Sequence, residues 1–305
     1  MAGLKTIKTK IRSIEKTQKV TKAMEAVSAS KMRKAQSRAL AGRAYARAAV
    51  AILARISGSR ELATHPLVKV PDTLNRALYI VITSDKGLAG ALNSAVLRAV
   101  SNDIVQKNLA PANVSIIAVG RKANDYFAAR GYKVEVYHQN TDAINSTLVR
   151  ELVDEAAIRF ANKETDLVQI AYQNFVSTFE QRPTIRTIFP LSLTELEQVV
   201  GDILPVRGVF SQPKEKFEQQ SYTIEPSEEE VLSAIVPRLA SIFVYHALLE
   251  SQASEHSARM VSMKSASDKA GELTDKFTLQ FNKARQAAIT REVSEITGGM
   301  EAMAG

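Results

Sequence analysis

The sequence predicts an α/β protein in which two long terminal helices pair as an antiparallel coiled coil, with a sheet domain between them in the chain. Three patterns indicate this. Residues 4–56 lack proline and consist mostly of good helix formers. Residues 227–297 repeat apolar or small side chains at alternating steps of four and three. Between them, short apolar runs alternate with amphipathic stretches, which is typical of βαβ units around a mostly parallel sheet.

The N-terminal helix is predicted from apolar residues that recur every three or four positions. It extends for about 50 residues, or about 75–80 Å. The apolar stripe breaks at Gln18 and restarts beyond it. Its members are Leu4, Ile7, Ile11 and Ile14, followed by Val20, Met24 and Val27. Gly58, Ser59 and Pro66 indicate where the helix ends.

The C-terminal helix is predicted to begin at Ser227, an N-cap residue with Glu230 as its capping-box partner. We expect Pro237 to kink it and Gly298-Gly299 to end it after about 70 residues. A heptad seam lasts about five heptads and then continues more loosely. The seam consists of Ile235, Leu239, Ile242, His246, Leu249, Ala253, His256, Met260, Met263, Ser267 and Ala270, and then of Leu273, Phe277, Phe281, Ala284 and Ala288.

The middle of the chain is predicted to form a Rossmann-like domain, because strands and helices alternate there. The strands are expected at Ala77–Ser84, Val114–Val119, Lys133–Tyr137, Leu167–Phe175 and Thr184–Pro190. The helices are expected at Gly90–Gln106, Arg121–Arg130 and Asn145–Ala161. Residues 199–220 are expected to be a loop or a β excursion. The predicted domains are therefore 1–60 (coiled-coil helix), 61–225 (α/β domain) and 226–305 (coiled-coil helix).

The unequal lengths of the two terminal helices predict an unpaired tip. The C-terminal helix is predicted to be longer than the N-terminal helix by about 20 residues. If the two helices pair antiparallel, its tip therefore extends about 30 Å beyond the N-terminal helix. The tip carries an apolar stripe formed by Ile289, Val293, Ile296, Met300 and Met303. An exposed stripe of this kind is an apolar patch, so we expect the tip to be frayed or sheathed by another protein.

Composition and charge narrow the function classes. The chain has no cysteine, which excludes disulfides, a thiol nucleophile and cysteine-ligated metal sites. No window of about 18 uncharged apolar residues is present, so no direct membrane insertion is expected. Residues 1–60 hold 15 lysines and arginines against only Glu15 and Glu25. Such a segment indicates an acidic partner: nucleic acid, anionic lipid or an acidic protein surface.

Three functions are compatible with these patterns: a mechanical coiled-coil subunit, a basic nucleic-acid binder and a nucleotide-dependent enzyme. Tyr45 is the only aromatic residue of the basic segment and its charges are spread around the helix, which weakens the nucleic-acid interpretation. The turn Ser84–Gly90 lacks a phosphate-loop pattern, so a structural turn is favoured. The four histidines (His65, His138, His246 and His256) are too scattered for a metal pair. No catalytic, cofactor or metal residue is therefore predicted.

Three segments resemble the F-type ATP synthase gamma subunit. The first is LKTIKTKIRSIEKTQKVTKAMEAVSASKMRKAQ, from Leu4 to Gln36. The second comprises SEHSARMVSMKSASDKA and FNKARQAAITREVSEITGGMEA near the C terminus, where Ile289-Thr290-x-Glu292-x-x-Glu295-x-x-x-Gly299 is similar to the family signature. The third is ITSDKGLAGALN after the first strand. The resemblance spans the whole chain.

The resemblance implies a rotor without an active site. In that family the terminal helices form an antiparallel coiled coil inside an alpha3beta3 ring. The α/β domain lies below it, against the epsilon subunit and the membrane c-ring. By resemblance, Met24, Lys31 and Arg33 match positions near beta-subunit loops or acidic surfaces. Arg285, Gln286 and Thr290 match polar contacts to the beta-subunit catch loops. No nucleic-acid partner is implied.

The sequence departs from the family at two places. It lacks the inserted cysteine pair of the photosynthetic subtype, so thiol regulation is not implied. Residues 199–220 match poorly, which leaves the c-ring contacts unassigned. A start at Met1 without a transit peptide favours a bacterial protein, peripheral on the cytoplasmic face of the plasma membrane.

Overall fold

The computed structural model describes residues 2–41, 62, 64–141, 143–192 and 227–304. Helix α1 spans Ala2–Ala41. Five strands follow: β1 (Ala77–Ile82), β2 (Val114–Val119), β3 (Lys133–His138), β4 (Leu167–Phe175) and β5 (Gln181–Phe189). Between them lie α2 (Leu92–Gln106), α3 (Arg121–Ala128) and α4 (Ser146–Ala161), and α5 (Glu228–Ala304) comes last. The predicted end of the first helix and the predicted loop 199–220 lie outside the described residues.

The five strands form one sheet in the order β3-β2-β1-β4-β5. All neighbours are parallel except β4 and β5, which are antiparallel. The β1–α2–β2 and β2–α3–β3 units extend the sheet in one direction, and α4 returns the chain to the other side of β1. The mostly parallel, Rossmann-like sheet that the sequence predicts is thereby confirmed.

Strand β1 shows how the sheet builds a core on both faces. Leu78, Ile80 and Ile82 pack on one face, with α4 and the first part of α5. Ala77, Tyr79 and Val81 pack on the other, with α2 and α3. Since successive side chains of a strand point to opposite faces, an all-apolar strand is the pattern that a sheet covered on both sides requires.

The described chain divides into two compact units, one formed by Met1–Ala29 with Arg259–Gly305, the other by Ser30–Ala258. The first contains paired segments of α1 and α5, and the second contains the sheet. The first turns of α5, predicted as coiled coil, contribute Leu232, Val236, Leu239 and Phe243 to the core of the sheet unit. The predicted domain limits at 60 and 225 fall among residues outside the described parts of the chain.

Helix α5 begins where predicted, because the Glu230 main-chain N–H donates to the Ser227 hydroxyl (3.3 Å). It does not end at Gly298-Gly299 but continues to Ala304. That prediction was wrong, because two glycines lower helix propensity without preventing the main-chain hydrogen bonds. Pro237 lies within the continuous helix. Helix α5 contains one 18-residue window, within Glu230–Met300, that is long and apolar enough to cross a membrane by length and composition, and half of this window is buried inside the protein.

Candidate functional surface of the coiled coil

The two long helices pair antiparallel in the first unit. Lys10 Nζ lies 5.8 Å from the centre of the Phe277 ring. Eight residues further along α1, the Gln18 side chain lies over Gly271, where an added Cβ would meet its Nε2 at 2.9 Å. As the residue number rises on α1 it falls on α5, so the predicted direction of pairing is confirmed.

Burial defines the seam between the helices. On α1 the less exposed residues alternate at steps of three and four, and on α5 they do the same. They are Leu4, Ile7, Ile11, Ile14, Gln18, Thr21, Glu25 and Ser28 on α1, and Met263, Ser267, Ala270, Thr274, Phe277, Phe281 and Ala284 on α5. The seam is therefore aliphatic and aromatic near the N terminus of α1, and polar or small further along it.

Two details of the predicted seam were wrong. Val20 and Val27 are 57% and 55% exposed, and the seam runs through Gln18, Thr21 and Ser28 instead. On α5 the seam passes through Thr274, and Leu273 is 36% exposed. Small or hydroxyl-bearing residues allow close approach of the helices, and the Thr21 and Ser28 hydroxyls are satisfied by carbonyls of their own helix. A search for large apolar residues misses such positions.

The heptad register distinguishes the two flanks of α1. The basic residues Lys5, Lys8, Arg12, Lys16, Lys19 and Lys22 are all exposed and fall on one flank. Val20, Met24 and Val27 fall on the other. The expectation that the charges surround the helix was therefore wrong for this stretch, Lys10 excepted. The helix presents a cationic flank and, opposite it, a flank that is apolar from Val20 to Val27, which we call the apolar flank.

The six predicted partner-contact residues are spread over both units. In the coiled-coil unit, Met24 is half-buried, whereas Arg285, Gln286 and Thr290 are exposed. The Thr290 hydroxyl donates to the Gln286 main-chain carbonyl (3.0 Å), so it keeps only acceptor capacity for a partner. In the sheet unit, Lys31 is half-buried and Arg33 is exposed.

The C-terminal end of α5 has an exposed apolar stripe, as expected. The seam ends at Ala284, and residues 285–300 are all exposed. Ile289, Val293, Ile296 and Met300 are between 52% and 66% exposed and follow one another at steps of four, three and four. A stripe at this spacing lies on one helix face and is typical of a helix that packs against another protein.

A group of polar residues in the middle of α5 was not predicted. Four of its side chains bond to main-chain atoms around the ends of β3 and β4. Glu250 accepts from Phe175 N–H (2.8 Å), and Gln252 donates to the Thr141 carbonyl (2.7 Å). Ser254 donates to the Gln173 carbonyl (3.0 Å) and Ser257 to that of Thr178 (2.7 Å). We call these four residues the α5 anchor. The run SQASEHSA, which follows the mostly apolar stretch Val231–Leu249, was the available signal.

The turn after β1 is structural. Ser84 N–H and Oγ both bond to Asn93 (2.9 and 2.8 Å). The Asp85 carboxylate accepts from Arg121 N–H (2.7 Å), which places a fixed negative charge at the N-terminus of α3. Ser84 and Asp85, which begin the turn, are thus held by hydrogen bonds within the protein. No cluster of metal-ligating side chains occurs among the described residues.

Taken together, these features define a sheet unit joined by a continuous helix to an antiparallel coiled coil with a bare apolar end. Comparison with known proteins identifies the family. A profile of the ATP synthase family matches residues 3–303. An ATP synthase gamma chain of Heliobacterium modesticaldum is 37% identical over 99% of this chain and all of its own length. One from Staphylococcus epidermidis is 36% identical with the same coverage. The chain therefore belongs to the ATP synthase gamma-chain family.

Solved structures show the same fold. A chain of the Euglena gracilis mitochondrial ATP synthase aligns with a TM-score of 0.64 at 18% identity, covering 99% of this chain and 95% of its own. A chain from the central stalk and c-ring of the Tetrahymena thermophila enzyme aligns with a TM-score of 0.57 at 24% identity, covering 81% and 99%. As a member of this family, the protein is a peripheral subunit of a membrane-associated complex.

Proposed function

We propose that this chain is the central-stalk rotor of a bacterial ATP synthase, and that it acts without an active site of its own. The coiled coil turns inside a ring of three alpha and three beta subunits, while the sheet unit faces the epsilon subunit and the c-ring. Proton flow through the membrane sector turns the c-ring, and the rotor carries this motion to the beta-subunit catalytic sites. The bacterial relatives support a location on the cytoplasmic face of the plasma membrane.

The exposed end of α5 is the observation that carries the proposal. Ile289, Val293, Ile296 and Met300 form an apolar stripe that water disfavours, and the residues around them are exposed too. A ring of other subunits around the helix would bury the stripe and still allow the helix to rotate, because apolar contact has no directional requirement. We propose that Arg285, Gln286 and Thr290 supply the directional polar contacts beside it.

The contacts proposed on α1 follow from its flanks. Met24 lies on the apolar flank, where a flexible, polarizable side chain tolerates a sliding contact. Lys31 and Arg33 are cations that suit acidic surfaces of the beta subunits. An N-terminal segment with 15 basic residues among its first 60 also approaches an acidic ring faster, since opposite charge steers association.

Assembly tests the proposal. The chain mixed with separately purified alpha and beta subunits is expected to give one complex with three alpha, three beta and one copy of this chain, measured by native mass spectrometry. Deletion of residues 285–305 is expected to weaken this assembly, because the apolar stripe is lost. Failure of the intact chain to enter the ring would contradict the proposal.

A further inference from the structure

Helices α2 and α3 cover the same sheet face and leave a groove of about 650 Å³ between them. Its lining includes Arg98 from α2 and Lys122, Asp125, Tyr126 and Arg130 from α3 and the turn after it. We call it the α2–α3 groove. It belongs to the sheet unit, and none of its lining residues is part of the α5 anchor.

The α2–α3 groove has a net positive charge. Its lining has three cations and one carboxylate, Asp125. Within the described part of the chain, Arg98, Lys122 and Arg130 form no ion pair with any carboxylate. Some other basic side chains of this sheet unit behave differently: Arg159, Lys107 and Arg76 each pair with an acid. The cationic character of the groove is therefore not neutralised internally.

The two arginines of the groove are held in place. The Arg130 guanidinium lies 3.5 Å from the centre of the Tyr126 ring and donates to the Tyr126 carbonyl (3.1 Å). The ring in turn is fixed by a hydrogen bond between Tyr126 Oη and Ser101 Oγ (3.2 Å). Arg98 Nε donates to the Ser94 carbonyl (3.2 Å). Each guanidinium has five N–H donors, so most of them still face solvent.

An exposed apolar residue lies on α2 beyond the groove lining. Val105 is 71% exposed and lies two turns beyond Arg98, about 10 Å along the helix and on the same face. Fixed cations beside an exposed valine match a chain segment that alternates carboxylates with apolar side chains. A single small anion would gain little at Arg98 and Arg130, because both are exposed to water.

We propose that the α2–α3 groove docks an acidic, amphipathic segment of a partner protein. The segment places carboxylates against Arg98 and Arg130 and an apolar side chain against Val105. The charges of several carboxylates add along the groove, which compensates for the small contribution of each exposed pair. The proposal does not depend on the rotor function, since it rests only on the sheet unit.

Fluorescence anisotropy with the full-length chain tests the groove directly. The probe is a fluorescein-labelled peptide in which glutamates alternate with leucines, compared with the same peptide carrying glutamines. The Arg98→Glu/Arg130→Glu double variant is expected to raise the Kd of the glutamate peptide at least about tenfold. The matched control, Lys69→Glu/Lys264→Glu, makes the same change in net charge at exposed residues elsewhere and is expected to leave the Kd nearly unchanged.

The outcomes are distinct. Equal binding of the peptide by both double variants, or no preference for glutamate over glutamine, overturns the proposal. Competition with inorganic phosphate is compared with sodium chloride at equal ionic strength. If phosphate displaces more peptide than sodium chloride does, the groove binds a small anion, and the docking proposal is overturned. Thermal unfolding of each variant checks that the exposed substitutions leave the fold intact. None of these results bears on assembly with the ring, so the two proposals fail separately.

Discussion

Gly120, which follows β2, has a φ of +103°, a backbone conformation that residues other than glycine rarely adopt. A Cβ there would lie 2.1 Å from the Thr83 main-chain oxygen, which no rotamer change could relieve. The close approach joins β1 to the start of α3, because the Thr83 hydroxyl also accepts from Ala123 N–H (2.9 Å). Gly120 therefore allows the close contact between the end of β1 and the turn from which α3 begins.

Gly120→Ala is expected to destabilise the protein by more than about 3 kcal/mol, since strain and a backbone clash add. Gly131→Ala is the matched control: its φ is +77° but nothing lies within 4 Å of the added Cβ. It is expected to cost only about 1 kcal/mol. Urea unfolding measures the free energy of unfolding of both variants. Equal losses of free energy would show that the close contact with Thr83 adds nothing to the cost of the positive φ.

Glu135 on the edge strand β3 is the most heavily paired carboxylate of the sheet. Burial alone would raise its pKa, but hydrogen bonds from Lys133 and Ser115 and the charge of Arg159 outweigh it, and the pKa lies below its ordinary value. The ion pairs measure 2.8 Å to Lys133 and 3.1 Å to Arg159. Because the folded-state pKa is lowered, this stabilisation is present above about pH 4.5 and is lost as the pH falls below it.

Glu135→Gln is expected to reduce the free energy of unfolding by about 2 kcal/mol at pH 7, through loss of charged hydrogen bonds. The difference between wild type and variant should narrow as the pH falls below 4.5. Urea unfolding at pH 7 and pH 4 measures it. The exposed Glu151→Gln variant serves as the control. A difference that is independent of pH would mean that the lost packing, not the charge, is responsible.

At the scale of elements, the sequence predicted the sheet well. Strands β2 and β4 have the bounds that were expected, because their apolar runs are sharply limited by polar or turn residues. The direction of helix pairing followed from the chain's topology. What could not be predicted was the full composition of the seam, since Thr21 and Ser28 look like surface residues in a sequence. The α5 anchor was missed for the same reason.

Disulfide crosslinking tests the register of the coiled coil. Lys10 beside Phe277 and Gln18 beside Gly271 place Ile7 near Phe281 by extrapolation. The native chain has no cysteine, so cysteines at Ile7 and Phe281 are expected to crosslink readily on oxidation. Cysteines at Ile7 and Met263 should not, because Met263 lies about 27 Å further along α5. Preferential crosslinking of the second pair would contradict antiparallel pairing.

Met24→Lys tests the apolar flank of α1. If Met24 contacts a partner during rotation, the new cation forms an ion pair with an acidic surface in one rotary state and not in others. Such a pair contributes about 1–3 kcal/mol when partly buried. An ion pair that stabilises one rotary state more than the others changes the rotary cycle. We therefore expect the number of protons pumped per ATP hydrolysed to fall, whereas assembly of the complex is expected to persist. An unchanged ratio, as expected for the neighbouring Ala23→Lys control, would exclude Met24 from the moving contact.

At the scale of the whole molecule, the chain combines parts that serve a mechanical subunit. Helix α5 runs without interruption from Glu228 to Ala304, and each compact unit contains part of it. The α5 anchor bonds side chains of this helix to main-chain atoms around the ends of β3 and β4. The carboxyl-terminal stripe lies beyond the last paired residue. We propose that torque enters through the sheet unit and leaves through α5.

Single-molecule rotation tests this account most directly. A cysteine at exposed Val70, the only one in the chain, anchors a gold rod to the sheet unit of a complex whose alpha3beta3 ring is fixed to glass. With ATP, the rod is predicted to turn in one direction and to pause at three positions per revolution. A rod that stays still, or only fluctuates, on complexes that hydrolyse ATP at the normal rate would contradict the assignment of this chain as the rotor.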